Sequence, residues 1–188
     1  MRLVILGGPG AGKGTQANKL CNYFQIPLVS IGDILREAIA AETKLGKKAQ
    51  PYVAKGELVP DMTMIKFVRD RLLQPDTKNG WLLDGYPRTA FQAEELDFLL
   101  DHLQQKLDWA IFLNVPEDVL IQRCKNREYR RTDDEPEIVK RRIDLFNQRT
   151  IPLLEYYEYY QRQRLISVHG EQTPEAIFQE VLTQIKTQ

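Results

Sequence analysis

Lys13 is the residue whose setting says most about chemistry. It stands in GGPGAGKGT, Gly7 to Thr15, directly after the apolar run Leu3-Val4-Ile5-Leu6. Amphipathic sequence follows, with Ala17, Leu20, Cys21 and Phe24 at helical spacing. A strand that breaks into glycine and restarts as a helix turns its backbone N–H groups toward an anion, and the helix N-terminus adds partial positive charge. A Cβ would obstruct the close approach of a phosphate chain and the φ values the loop needs, which is why glycine recurs. Gly10, Ala11, Gly12, Lys13 and Gly14 are therefore the candidate phosphate cradle, with Lys13 placed to reach the outer phosphates. The strict phosphate-loop pattern asks for Ser or Thr directly after the lysine. Here Gly14 intervenes and the hydroxyl comes one place later, at Thr15.

Two further sets of charges invite the same reading. Asp84 closes the apolar run Trp81-Leu82-Leu83, and the turn Gly85-Tyr86-Pro87-Arg88 follows it with a cation. A carboxylate at such a strand end is where a magnesium–water shell beside a nucleotide is held. The arginines form the other set. Arg123 and Arg127 lie four apart on a predicted helix, hence on one face. Arg142 and Arg149 are two turns apart on a longer one, Arg131 falls in a charge-dense stretch, and Arg36 and Arg88 come from the first half. Guanidinium groups match phosphate oxygens in pairs and do not deprotonate, so a site for several phosphates accounts for such a set. Taken singly, each arginine could equally be a solvated residue paired to Asp or Glu.

Short apolar runs alternate with amphipathic stretches along the whole chain. Strands are predicted at 1–6, 26–30, 81–84, 109–113 and 165–169, and their nearly uniform apolarity implies a parallel sheet covered on both faces. Helices are predicted after the glycine loop, from Ser30, over 45–55 with Gly56 as the stop, from Asp61 as N-cap, over 89–104, from Pro116, from Glu135 with a break near Pro152, and from Thr173-Pro174. Residues 127–134 carry six charged groups and no apolar face, which reads as an exposed loop. The chain is one α/β domain over 1–188, with candidate inserts at 30–59 and 126–136. In a doubly wound sheet, ligands bind beyond the carboxyl ends of the strands, where Lys13, Asp33, Asp84 and Arg88 fall.

The bulk properties narrow the classes. Lys plus Arg (26) balances Asp plus Glu (26), so no global basic field favours nucleic acid, and any basic site must be local. No apolar stretch approaches a membrane span, and the chain enters a strand at once, so neither a membrane partner nor a signal peptide is expected. Cys21 and Cys124 provide no disulfide framework and no Cys-x-x-Cys pair, and both are expected to be buried, inert thiols. A cytoplasmic location follows as an expectation.

Taken together the motifs resemble the adenylate kinases, within the nucleoside monophosphate kinases. GGPGAGKGTQ (7–16) is similar to their phosphate loop, including the glycine between lysine and threonine. SIGDILR (30–36) resembles their S-T-G-D-x-L-R, and KGELVPD (55–61), LLDGYPRT (82–89) with Gln92, and RTDDE (131–135) stand in the family's order. The resemblance spans essentially the whole chain. It implies a P-loop NTPase-type fold: a parallel five-stranded sheet with helices on both faces, a small helical segment for the monophosphate at 30–59, and a very short lid at 126–136. It implies Mg²⁺-dependent phosphoryl transfer between ATP and AMP, giving ADP, by a protein expected to be monomeric. By motif match, Lys13 would steady the transferring group, Thr15 would touch the magnesium sphere, and Asp84 would hold it through water. Arg36 and Arg88 would grip the AMP phosphate. Glu57, Leu58 and Val59 would line the AMP side largely by backbone, with Ile31, Gly85, Tyr86 and Pro87 nearby and Gln92 on the adenine. Arg123 would lie over the ATP adenine, and a carbonyl near Gln172 or Thr173 would meet it. Arg127, Arg131 and Arg142 would surround the phosphates, and Asp133 and Asp134 would pair with arginines to close the lid.

Two departures from the family pattern stand out. Ile31 replaces the usual Thr and removes one polar contact to the AMP base. Only Glu128, Tyr129 and Arg130 separate Arg127 from Arg131, and this short lid carries no cysteine set, so zinc is not expected. A UMP/CMP kinase would tend to carry Asn after the Pro-Arg pair and Asn again where Gln92 stands, so Thr89 and Gln92 favour adenine. A nucleotide-binding module without catalysis would be expected to lose Lys13 or the lid arginines, and all of them are present.

Overall fold

Each apolar run of the chain becomes a strand: β1 (Arg2–Leu6), β2 (Leu28–Ser30), β3 (Trp81–Asp84), β4 (Trp109–Asn114) and β5 (Leu165–His169). The computed structural model describes residues 1–127, 131, 133–160 and 164–187. The strands form one sheet in the order β2-β3-β1-β4-β5, and every pairing is parallel. Alternate side chains enter opposite layers. Val4, Leu6, Leu83, Ala110 and Phe112 pack on one side, and Leu3, Ile5, Leu82, Ile111 and Leu113 on the other. That division is why the central strands read as unbroken apolar runs rather than alternating ones. The edge strand β5 departs from this: Ser167 and His169 are exposed, while Ile166 and Val168 are buried.

The helices are α1 (Lys13–Phe24), α2 (Ile31–Ala40), α3 (Lys44–Val53), α4 (Asp61–Leu72), α5 (Ala90–His102), α6 (Glu117–Lys125), α7 (Pro136–Leu145), α8 (Ile151–Glu155) and α9 (Pro174–Thr187). Residues of α4, α5 and α8 pack into the first layer, while α1, α6, α7 and α9 fill the second. α2 and α3 close on each other, and a Cβ on Gly46 would lie 1.9 Å from the Ala38 carbonyl oxygen. Gly56, with φ of +69°, lets the chain leave this pair against Ile138 and Arg142 of α7. Cys21 and Cys124 are free and buried, and burial pushes the Cys21 thiol up to about 11, which fits an inert role.

Three local expectations need correction. Asp61 does not cap α4: Pro60 takes the cap position without a side-chain bond, and Asp61 is the first helical residue with its carboxylate engaged elsewhere. The break expected at Pro152 begins upstream, as a π-turn over Phe146–Thr150 in which the Ile151 N–H reaches back to the Phe146 carbonyl. A proline lacks the N–H that continues the ladder and crowds the turn before it, and the wider turn relieves that crowding. Asp133 and Asp134 are 7% and 5% exposed rather than solvated, because both are paired to arginines. Glu128, Tyr129, Arg130 and Thr132 of the expected lid lie outside the described residues.

Candidate active site

The carboxyl ends of β1 and β3 open onto a cavity of about 560 Å³. Its floor is the glycine loop. Gly10 and Gly12 have φ of +84° and +90°, and Gly12 sits at the start of α1 in the left-handed region, where only glycine is comfortable. A Cβ on Gly10 would stand 2.7 Å from the Leu120 carbonyl oxygen, so α6 is packed against the back of the loop. Gln16, buried just inside α1, donates to the Pro174 carbonyl at 2.9 Å and ties the loop's helix to the start of α9.

Lys13 folds over the mouth of its own loop. Its ammonium donates to the carbonyls of Gly7 at 2.8 Å and Gly8 at 2.9 Å. Desolvation lowers its pKa to about 8, Asp84 opposes that shift, and Arg88 and Arg142 add to it. The sign for stability follows. With the folded value near 8 and the ordinary value 10.5, the unfolded chain binds more protons between them, so stability rises with pH across that window. Ligand binding runs the other way. A polyphosphate favours the charged lysine, so affinity for a triphosphate is expected to fall as pH rises from 7 to 9.5. Titration calorimetry in buffers of different ionisation enthalpy should show proton uptake on binding near pH 8.5, and Lys13→Gln should abolish it.

Arginines reach the cavity from four elements or their flanks. Arg36 comes from α2 and pairs with Asp33. Arg88 follows β3, and its Nε donates to the Gly85 carbonyl at 2.9 Å. Arg123, on α6, donates to the Gly170 carbonyl at 2.8 Å. Arg127 pairs with Asp134 at 2.9 Å, and Arg142 of α7 pairs with Asp133 at 2.7 Å. Seven cations line the cavity against four carboxylates, Asp33, Glu57, Asp84 and Asp133. Burial first and Arg142 second pull Arg88 below the ordinary guanidinium value, with Asp84 acting against them. Such crowding of like charge is relieved by an anion between the arginines.

Most of the expected site residues come together here. Gly10 to Thr15, Ile31, Arg36, Glu57, Leu58, Val59, Asp84, Gly85, Tyr86, Arg88, Gln92, Arg123, Arg127, Arg131 and Arg142 all line the cavity. Pro87 instead borders a neighbouring recess of about 60 Å³ with Arg142 and Thr150, and the Tyr86–Pro87 peptide is cis. The Gln172 side-chain amide donates to Glu180 at 2.7 Å on the outer surface. The carbonyl that accepts from Arg123 is that of Gly170, in the same loop. Arg149 is exposed and away from the cavity, because the π-turn rotates it off the face of Arg142. The side chains of Asp133 and Asp134 hold Arg142 and Arg127, and the Arg131 contact is made by its backbone N–H to Asp134 at 2.9 Å. Asn18, which no motif singled out, joins the lining together with Asp33 and Asp133. Glu57 carries a side-chain role the sequence did not suggest, pairing with Arg141 across to α7.

The described residues hold no group of three or more His, Cys, Asp or Glu that could bind a metal ion by themselves. Beside Lys13 the cavity offers the half-buried carboxylate of Asp84 and the exposed hydroxyl of Thr15, while Asp33, Glu57 and Asp133 are paired to arginines. That donor set suits Mg²⁺, which keeps its waters and takes one or two protein oxygens plus those of a phosphate chain. No helix among the described residues is long and apolar enough to cross a membrane.

Comparison with known proteins agrees with the geometry. The family profile described as adenylate kinase matches residues 5–162. The chain is 57% identical over 182 residues to adenylate kinase 2 of Nostoc sp., covering 97% of each chain. It is 53% identical to adenylate kinase 2 of Synechocystis sp., over 90% of this chain and 92% of that one. It is 42% identical to an adenylate kinase of Caldicellulosiruptor bescii, over 97% of each.

Proposed function

The chain belongs to the adenylate kinase family, and on that premise we propose that this cavity carries reversible phosphoryl transfer from ATP to AMP, giving two ADP. The bond from the γ-phosphorus to the β,γ-bridging oxygen breaks, and one forms from an AMP phosphate oxygen to that phosphorus. The observation that carries the reading is the union, in one cavity, of the glycine loop with arginines drawn from both halves of the chain. A phosphate chain longer than one nucleotide supplies is what so many cations match.

The roles follow from position. Gly10 to Thr15 cradle the donor phosphates, and Lys13 leaves its own loop's carbonyls to meet them. Arg123 and the Gly170 carbonyl border the donor base. Arg36 and Arg88 hold the AMP phosphate, while Ile31, Glu57, Leu58, Val59, Gly85, Tyr86 and Gln92 surround its nucleoside, with Pro87 bracing the turn. Arg127, Arg131 and Arg142 flank the group in transit, where charge stabilisation and alignment are nearly all that phosphoryl transfer asks of a protein. Asp84 and Thr15 would hold Mg²⁺, which when bound neutralises charge on the donor phosphates. Segments 30–59 and 126–136 close over the two nucleotides and exclude water, which would otherwise consume ATP. A monomer is the proposed working unit, with cytoplasmic ATP and AMP pools as its substrates.

The test is a panel of acceptors: with ATP and Mg²⁺, transfer to AMP should exceed transfer to CMP, UMP and GMP, and preference for a pyrimidine would overturn the reading. Base reading adds a sharper prediction. Ile31 is 2% exposed and offers no hydroxyl, which leaves Gln92 as the main side-chain reader. Gln92→Ala is expected to lower the ratio of kcat/KM for AMP to that for CMP by about tenfold or more, since an unpaired buried polar group costs about 1–3 kcal/mol. Ile31→Thr should raise the same ratio a few-fold. An unchanged ratio in Gln92→Ala would move the selectivity to the backbone around Gly85 and Val59.

A further inference from the structure

Gln92 is held from every side. Its side-chain Nε2 donates to Asp61 Oδ1 at 2.7 Å, thirty-one residues away, and its Oε1 accepts the Arg88 backbone N–H at 2.8 Å. Its own backbone N–H donates to Thr89 Oγ1 at 3.2 Å, and its carbonyl accepts the Tyr86 hydroxyl at 3.0 Å. The residue is 2% exposed, and that remainder faces the cavity.

The two side-chain partners differ in a way that matters. A carboxylate only accepts and a backbone N–H only donates, whereas an amide can do either according to which way it is turned. Between Asp61 and Arg88 the Gln92 amide therefore has one orientation. A flip would set its oxygen against the Asp61 carboxylate and its NH₂ against the Arg88 N–H. What stays available is one Nε2 hydrogen and one Oε1 lone pair, in a fixed left-to-right order.

Purine bases differ in that same order. Adenine carries a donor at the 6-amino group and an acceptor at N1. Hypoxanthine and guanine carry an acceptor at O6 and a donor at N1–H. An amide turned one way pairs with the first edge, and turned the other way it pairs with the second. We infer that Asp61 is a specificity-determining positioning residue: by accepting from Gln92 it fixes the amide in the orientation that reads a 6-amino purine and refuses a 6-oxo purine. Asp61 touches no substrate in this account. The inference rests on AMP being the acceptor and on Gln92 facing its base.

The experiment compares AMP with IMP, whose base differs from adenine at the 6-position and N1 alone and lacks the 2-amino group that could exclude guanine for other reasons. kcat/KM for each is measured with saturating ATP for the wild type, Asp61→Asn and Asp61→Glu, with the KM for ATP and a thermal melt for each chain. Asparagine can turn its own amide to accept or to donate, so only the Arg88 N–H still opposes the flip and the 6-oxo orientation becomes accessible. Asp61→Asn is expected to lower the AMP-to-IMP ratio about tenfold, within the range of one mispaired buried polar group, with IMP use rising while the KM for ATP stays within about twofold. Asp61→Glu keeps an acceptor-only partner and should hold the ratio near the wild-type value. Equal losses on AMP and IMP, or equal shifts in both variants, would make Asp61 structural and overturn the inference. Asp61→Ala also removes the acceptor and is read by the same ratio; if neither it nor Asp61→Asn folds, the inference likewise falls. A wild type that fails to phosphorylate AMP would instead refute the kinase reading, so the two failures are told apart.

Discussion

Replacing Lys13 by Ala is expected to lower kcat by about 10²–10³-fold in a chain that still folds, the range seen when one preorganised donor to a developing charge is removed. The ammonium sits at the centre of the glycine loop, bonded to the Gly7 and Gly8 carbonyls. Those carbonyls are weak partners for a full charge, and burial makes that charge costly, which is why its pKa lies near 8. Triphosphate oxygens are far better partners, so the interaction that Lys13 lacks in the free protein is the one it makes during transfer. Stability should not suffer from the loss. Removing a cation whose folded pKa lies below its ordinary value removes a cost at neutral pH, so the melting temperature of Lys13→Ala should match or exceed that of the wild type. Near-normal turnover would remove Lys13 from the mechanism, and a strongly lowered melting temperature would assign it to the loop's architecture.

The second large effect is expected at Arg88. Its backbone is fixed at both ends, by Gln92 Oε1 on the N–H and by the Thr150 hydroxyl, which donates to its carbonyl at 3.0 Å. Its Nε is spent on the Gly85 carbonyl, leaving the outer face of the guanidinium toward the cavity. A group held this way meets a phosphate with little entropy left to lose, which strengthens a charge-assisted pair. Arg88→Ala should therefore lower kcat/KM for AMP by about 10²-fold or more, while the Kd for ATP changes by less than about threefold. Arg88→Lys should recover little, because a flexible ammonium cannot make the same paired contact. Equal losses for both nucleotides would place Arg88 on the donor side or between the two.

The positions legible in the sequence were those where local chemistry has one outcome. An apolar run ending in GGPGAGKGT has little choice but strand, loop and helix, and Asp84 at the end of β3 falls beside Lys13 because the two strands pair in parallel, Ile5 opposite Asp84. Arg123 reaches the cavity from α6, but that helix ends at Lys125, so Arg127 does not share its face and is held instead by its pairing with Asp134. What escaped depended on partners far away in the chain. Asp61 reads as a cap because Asp before a helical stripe usually is one, and only the fold brings Gln92 to its carboxylate. Asp133 and Asp134 sit in a run with no apolar face, which reads as solvated. They are buried because Arg127, just past the end of α6, and Arg142 of α7 each stand at the right place. The loop carrying Gly170 and Gln172 is polar throughout, so nothing local said which carbonyl would turn toward Arg123.

On the proposed function, one cavity binds two nucleotides end to end. Titration with a bisubstrate analogue, two adenosines joined by five phosphates, tests it most directly. The account predicts one analogue per chain, displaced competitively by ATP and also by AMP, with Arg88→Ala weakening it and Arg36→Ala doing the same. Two analogues per chain, or displacement by ATP alone, would contradict it.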